Sequence, residues 1–432
     1  MLKIKSKLLV VFITALTLTI VGCSSGDTDN ETSEEASGDQ TVLRVAWWGG
    51  QERHDMTLQA IDLFEEKNPD IKVEPEFTSW DGYWERLNTQ AAGSNLPDVI
   101  NMDNSKLNEY HSRGLLLDLS ELISAGNIDL ENVDDIYQEI NEAGEEVLAV
   151  AIGANALASL VNEDVMEDHG IQLEPGYTYE ELQEAMLEMK EGNDDFFYGF
   201  DFANSEFELF TLFARQNQQS VFNEDGTDIG FTEDTLVEYF DFVQTMVNSE
   251  ASPSHDITMD YVDGGNSMIG EGSAAIQIGA SNQIIGQSQS TEHTLGLNLL
   301  PSLANGEDAN WIRPSMSFAI STNSDKQEAA ATFIDFFTND LDANEILMAE
   351  RGVPISSEVR SHLEGLVDEP TRKTFEFLEM IADYSSPADP LSPAGETEVR
   401  GSFLRIIELV KYDRITPEEA ASQFIAEVSS IL

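Results

Sequence analysis

The chain holds five tryptophans, and their neighbours are of one chemical kind. Trp47 and Trp48 stand just ahead of Gln51, Glu52 and Arg53; Trp80 and Trp84 flank Asp81-Gly82-Tyr83; Trp311 lies between Asn310 and Arg313. Indole rings present flat apolar faces, and planar carboxamide, carboxylate and guanidinium groups hydrogen-bond in fixed directions. Together they suit a ligand with an apolar ring face and a rim of hydroxyls, which describes a pyranose. Trp47 and Trp48 fall on alternate sides of a strand end, so one belongs to the core and the other faces ligand, Trp48 being favoured for the second role. Trp84 is in phase with Leu87 and reads as core, Trp80 is open either way, and Trp311, with polar neighbours, belongs in a cleft. Arg53 and Arg313 either face the ligand or pair with nearby carboxylates. Both in the cleft would point to an anionic saccharide; without them a neutral one is expected.

Catalytic patterns are weak by comparison. Paired carboxylates could serve a glycosidase, but among 81 acidic residues close pairs arise by chance. No GxSxG or HExxH occurs, the six histidines are dispersed, and Gly270-Glu271-Gly272 precedes a strand where a dinucleotide loop would follow one. Asn223 to Gly230 reads as a hairpin turn whose ligand positions miss the calcium-loop pattern. No catalytic residue, metal site or cofactor is therefore expected.

The elements that must position these groups follow a β-α-β-α-β order. Val42–Ala46 is β-rich; Asp55 is an N-cap candidate for a helix through Leu58, Ile61 and Phe64 that stops at Asn68-Pro69; Ile71, Val73 and Phe77 alternate; Pro97–Met102 reads as a third strand. Such an order implies parallel strands with right-handed crossovers, and in open parallel sheets ligands sit beyond the carboxyl ends of the strands. Trp47–Arg53 and Asp103-Asn104 then face one crevice. Glu145–Leu160 reads as two strands passing through a joint, and Thr178 with Glu181 as a capping box.

The chain ends and composition narrow the setting. Lys3, Lys5 and Lys7 precede an apolar run from Leu8 to Val21, too short for a comfortable membrane span, and then Gly22-Cys23. Cys23 is the sole cysteine, which rules out a disulfide framework. Residues 24–40 carry acids, no base and no large aliphatic, and read as a disordered tether. About 390 residues remain, above the size at which one core divides, so two domains are expected. With 22 basic against 81 acidic residues and a formal net charge of -59, nothing could neutralise phosphates, and nucleic-acid binding is excluded. The acid excess also suits high salt, where self-repulsion is screened, so a halophilic or salt-tolerant source is expected.

Several segments, in order, resemble the family 1 extracellular solute-binding proteins, carbohydrate receptors of ATP-binding-cassette (ABC) importers: LRVAWWGG, FEEKNPDIKVE, SWDGYWERLNTQAAGSNLPDVINMD, HSRGLLLDLSELI, AIGANALASLVNEDVMEDHGI, GEGSAAIQIGA and NWIRPSMSFAISTNSDKQEAAATFIDFF. IVGC resembles a lipobox, which implies a signal peptide over residues 1–22 and a lipid on Cys23. The resemblance implies a type II periplasmic-binding-protein-like α/β fold, with two lobes joined by three hinge crossings near Ile152–Asn155, Ile276–Ile278 and Ser315–Ile320. Lobe 1 would comprise 41–152 plus 278–316, and lobe 2 would comprise 153–277 plus 317–432. It implies ligand contacts at Asp103, Asn155, Asn204, Phe207 and Ser281, beside Trp47, Trp48, Gln51, Arg53, Trp80, Trp311, Arg313 and Glu396. The expected partners are a mono- or oligosaccharide and the permease subunits of a transporter. A monomer on the outer face of the membrane is expected, held by its lipid anchor. A secreted carbohydrate-active enzyme, or a receptor for another nutrient, is the alternative.

Overall fold

The computed structural model describes residues 40–432 except 139–140, 192–196, 265, 391–392 and 394; the segments expected to be a signal peptide and a tether, with Cys23, fall outside the described residues apart from Gln40. Twelve strands are formed among the described residues: β1 (Thr41–Trp48), β2 (Ile71–Thr78), β3 (Val99–Met102), β4 (Glu142–Ala143), β5 (Glu146–Val147), β6 (Val150–Asn162), β7 (Tyr198–Asp201), β8 (Ser220–Phe222), β9 (Ile229–Gly230), β10 (Ala274–Ala280), β11 (Leu295–Asn298) and β12 (Ile312–Ile320). Eight of them make one sheet in the order β2-β1-β3-β12-β6-β10-β7, with β11 also on β6. β2, β1 and β3 are mutually parallel, as the β-α-β-α-β order requires. β12 runs antiparallel to both β3 and β6.

The expected pair of strands near residue 153 is one continuous strand, β6, of 13 residues. Its first half pairs with β12 and its second half with β10 and β11. It is buried on nearly every residue, so both faces need apolar side chains, and the alternation of a half-solvated strand is missing.

Two separate apolar cores flank this axis. The first gathers Trp47, Phe64, Tyr83, Tyr110, Phe318 and Phe333; the second gathers Phe200, Phe210, Tyr239, Phe240, Phe403 and Phe424. The division expected from the sequence, with 317–432 in one lobe, is corrected by this packing. Phe318 to Ile381 contribute to the first core, and Val399 to Val428 to the second. The cause is register: Ser317–Ile320 pair with Met102–Val99 of β3, so the chain leaves β12 on the first side. The next helix, Gln327–Asn339, then packs Phe333 and Phe336 onto Phe64, each at 5.2 Å.

The first helix also starts earlier than expected. It spans Gln51–Lys67 with Gly50, in extended conformation, as N-cap. His54 N–H donates to Gly50 O at 3.1 Å, and Gln51 bonds to Asp55 at 2.8 Å. Gln51 and Arg53 consequently ride on a helix and not on a crevice loop. The capping box at Thr178 is present, each partner accepting the other's backbone N–H, and the hairpin between β8 and β9 turns at Asn223, whose Oδ1 accepts the N–H of Thr227 at 2.9 Å.

Where β6 leaves the first core, a third segment presses on it. Ala154 and Val353 exchange backbone hydrogen bonds of 2.8 and 3.0 Å. A side chain on Gly153 would place Cβ 2.4 Å from the carbonyl oxygen of Arg351 and 2.8 Å from Ser315 Oγ. The intruding atom is backbone, so relief requires moving a buried loop. Gly153→Ala is expected to cost about 1–3 kcal/mol, read as a lowered urea midpoint with an unchanged denaturant slope.

Candidate functional site

The helix Glu206–Gln216 is the main wall of a cavity of about 310 Å³. Phe207, Thr211 and Arg215 recur at four-residue spacing and line it together with Glu208, as one face of a helix does. The helix is entered through a turn in which Ala203 and Asn204 have φ of 48° and 61°, a conformation unfavourable for side chains other than glycine's. Asp201 Oδ1 accepts the Ala203 N–H at 2.9 Å and holds that turn. Beneath it Lys411 pairs with Glu206, and both are buried.

Opposite stand Trp311 and Arg313 at the start of β12, and a further wall is the segment Ala388–Pro390 with Glu396 and Arg400. Arg215 ties these walls together. Its Nε donates to Ala309 O at 2.9 Å, one Nη bonds Ser386 Oγ and Pro387 O, each at 2.8 Å, the other Nη pairs with Asp389, and its guanidinium lies 5.3 Å from the Trp311 ring centroid. Burial raises the Asp389 pKa, against the opposing pull of Arg215. Arg400 pairs with Glu208 and lies 5.4 Å from the Phe207 ring. Burial likewise raises Glu396, with Arg400 opposing and Glu208 adding to the rise. The hairpin tip Asn223–Gly226 closes one end.

The first core contributes Asn104 and Asn108 from a helix that Asp103 caps, its Oδ1 accepting from Ser105 N at 3.0 Å. A second cavity of about 620 Å³ shares Asn108, Ala388, Asp389 and Pro390 with the first and extends past His111 and Ile136. The lining thus combines three aromatic side chains, Phe207, Phe222 and Trp311, with carboxamides, carboxylates and guanidinium groups, the donor and acceptor set that polyhydroxylated rings require.

Of the residues singled out from the sequence, Phe207, Trp311, Arg313 and Glu396 line the 310 Å³ cavity. Asn155 sits opposite Arg313 in the β6–β12 register, and Asp103 is felt electrostatically by Arg313. The others lie elsewhere, each for a physical reason. Trp47 is fully buried, with its indole N–H on His54 Nδ1 at 3.1 Å. Trp48 is 7% exposed and packs against Trp80, Tyr83 and Trp84 at 5.0–5.6 Å; Trp80, 41% exposed, is the wet edge of that cluster. Arg53 pairs with Glu350 at 2.8 Å, Gln51 with Asp55, Asn204 forms the left-handed turn, and Ser281 is buried with its Oγ accepting the Ala156 N–H. Sequence reasoning had placed Asn104 at the crevice but missed Asn108, Glu208, Thr211, Arg215, Asp389 and Arg400. The helical spacings 207-211-215 and 396-400 were the available signal.

With this geometry in view, the family is clear. A family model described as bacterial extracellular solute-binding protein matches residues 53–340, and the chain belongs to that family. Its fold is that of the type II periplasmic binding proteins. An extracellular solute-binding protein family 1 structure from Alicyclobacillus acidocaldarius is 24% identical, with a TM-score of 0.79 over 91% of this chain and 99% of that one. A periplasmic oligogalacturonide-binding protein from Yersinia enterocolitica is 24% identical, with a TM-score of 0.76 over 90% and 98%. A Listeria monocytogenes ABC substrate-binding protein in complex with cycloalternan is 19% identical, with a TM-score of 0.72 over 91% and 99%.

Two outcomes test the site's supports. Arg215→Lys keeps the charge but cannot reproduce the fork that reaches Ala309, Ser386 and Pro387; a loss of about 2–4 kcal/mol is expected in chemical unfolding. Asp201 is raised to about 6, first by desolvation and further by Glu206, with Ala203 N–H, Lys411 and Thr258 opposing. The folded state holds this proton more tightly, so the group's contribution is present at about pH 4 and lost as pH rises through about 6. Asp201→Asn should therefore gain on the wild type as pH goes from 4 to 7.5, by up to about 3 kcal/mol, measured by thermal melts across that range.

Proposed function

We propose that the chain is a saccharide receptor that captures its ligand between two lobes and delivers it to the permease of an ABC importer, catalysing nothing. The observation that carries this reading is the cavity where Phe207, Trp311 and Arg313 from the second-core side meet Asn104 and Asn108 from the first. Ligand touching both sides favours a closed form by its differential contacts. The bending points are the stretches of β6 and β12 that run from one core to the other, with the first lobe built on 41–152 and on the chain after β12 as far as residue 363. Relatives that bind oligogalacturonide and cycloalternan support a saccharide ligand. Cys23 as a lipid attachment and residues 24–40 as a tether would hold the receptor at the outer membrane face, and the acid-rich surface suits a salty medium. No helix among the described residues is long and apolar enough to cross a membrane.

The test is a thermal-shift and calorimetric panel of mono- and oligosaccharides. A true ligand at 100 times its dissociation constant should stabilise the protein by about 2.7 kcal/mol and be recovered unchanged by chromatography, whereas consumption of the sugar would make the protein an enzyme. Trp311→Ala should weaken that ligand about 10- to 100-fold while leaving the melting temperature of the free protein nearly as it was. If no saccharide binds, the reading falls.

A further inference from the structure

Three arginines line the 310 Å³ cavity, and two have partners in the protein. Arg215 is held by Ala309, Ser386, Pro387 and Asp389, and Arg400 by Glu208 and the Phe207 ring. Arg313 forms neither a hydrogen bond nor an ion pair with any described residue, although it is only partly exposed. Of the other described arginines without an ion pair, Arg414 is exposed, whereas Arg351 is buried with Nε and one Nη unpartnered; Arg351 donates to Thr57, lies over Phe318 and Phe337 and lines neither cavity. In a chain with 81 acidic and 22 basic residues, a cation enclosed without a partner runs against simple abundance. It also runs against the cost of desolvating a charge that nothing neutralises.

Nearby acids do not close on it. Glu208 and Asp103 attract it electrostatically and Arg400 repels it, but neither acid bonds to it: Glu208 places Oε1 on Arg400 and leaves Oε2 buried without a partner, and Asp103 uses Oδ1 on Ser105. On the adjacent strand Asn155 stands opposite Arg313 in an antiparallel register, so both side chains leave the same face of the sheet. The Asn155 Oδ1 is buried with no partner. A forked donor on the cavity wall and, on the neighbouring strand, an unmet acceptor therefore leave the same face of the sheet. Planar guanidinium matches a carboxylate in two parallel hydrogen bonds, a geometry that a neutral diol answers without neutralising the charge. An acceptor beside it suits the hydroxyl next to that carboxylate. The protein's net field repels anions at long range, so an acidic ligand needs such a local cation.

From this juxtaposition we infer that the saccharide is a uronate, its carboxylate gripped by Arg313 and an adjacent ring hydroxyl by Asn155. The inference rests on the receptor reading above and adds the ligand's charge class. Calorimetry with di- and trisaccharides of galacturonate, glucuronate and mannuronate, each beside its methyl ester, tests it at fixed pH and salt. The expected result is one acid bound at least about tenfold more tightly than its ester. Arg313→Gln should abolish that preference while leaving ester affinity within about threefold, and Arg313→Lys should keep part of it. Equal binding of acid and ester, binding of neutral sugars alone, or an equal loss for both forms in Arg313→Gln overturns the uronate assignment and leaves the receptor intact. Failure of every acidic and neutral saccharide to bind overturns both. The acid-against-ester comparison needs only the wild-type protein, so a variant that fails to fold does not remove the test.

Discussion

The molecule is organised by the antiparallel ladder between β6 and β12. Each strand pairs on the first-core side with one set of elements and is continuous to the second. Backbone hydrogen bonds in a ladder resist shear, so the two cores are tied to one another at fixed register. The ladder is not regular: register shifts fall between Pro314 and Met316 and between Met316 and Ser317. Bulges of this kind raise local twist and re-aim side chains. Here the irregularity lies directly beside Arg313, and the Arg351–Val353 segment packs over it, with Ser315 Oγ donating to Arg351 O. Gly153 lets that segment approach, which is why a residue without a side chain stands at this point of a buried strand.

Charge explains the second level of order. Most of the acid excess is solvated, and exposed pairs such as Arg113 with Glu109 contribute little. The scarce cations inside do structural work wherever the backbone takes an unfavourable course. Lys411 compensates Glu206 below the left-handed turn at Ala203 and Asn204, and Arg215 gathers the carbonyls of an irregular segment that has no sheet to satisfy them. Removing either cation would leave buried acceptors without donors, a larger penalty than the net strength of the bonds themselves. The cavity walls are thus fixed by the same residue types that a charged ligand would attract, and only partner counting separates the two roles.

This is also where reading the sequence reaches its limit. The parallel start of the sheet, the capping box at Thr178, the hairpin at Asn223 and the family were readable, since each depends on residues close in the chain or on a pattern spread along it. The helix start at Gly50 was not, because Asp55 is the stronger isolated capping residue and only the Trp47–His54 contact draws the helix earlier. The packing of Gln327–Asn339 against Phe64 was not readable either, because it follows from β12's pairing with β3, a long-range register that no local pattern announces. Of the aromatic candidates, Trp311 was recognisable from its polar neighbours, whereas Trp48 was drawn into a cluster with Trp80, Tyr83 and Trp84. Rings near one another in sequence are the easiest to bury together.

The two tryptophan environments show how one residue type divides between support and contact. In the first core the indoles pack edge to face among themselves, burying each other and stiffening the end of β1. On the second side, Trp311 has no aromatic partner among the described residues. Instead a guanidinium covers it, and that guanidinium is immobilised by backbone carbonyls. A ring held by a fixed cation keeps its orientation without being enclosed, so it can remain beside a cavity and lose little entropy when a ligand stacks on it. Preorganisation of this kind places the ordering cost in folding and leaves more of the contact energy for affinity. The rigid support behind Trp311 and the uncommitted guanidinium of Arg313 are complementary halves of one arrangement, the first fixing geometry and the second leaving an electrostatic demand for the ligand to meet.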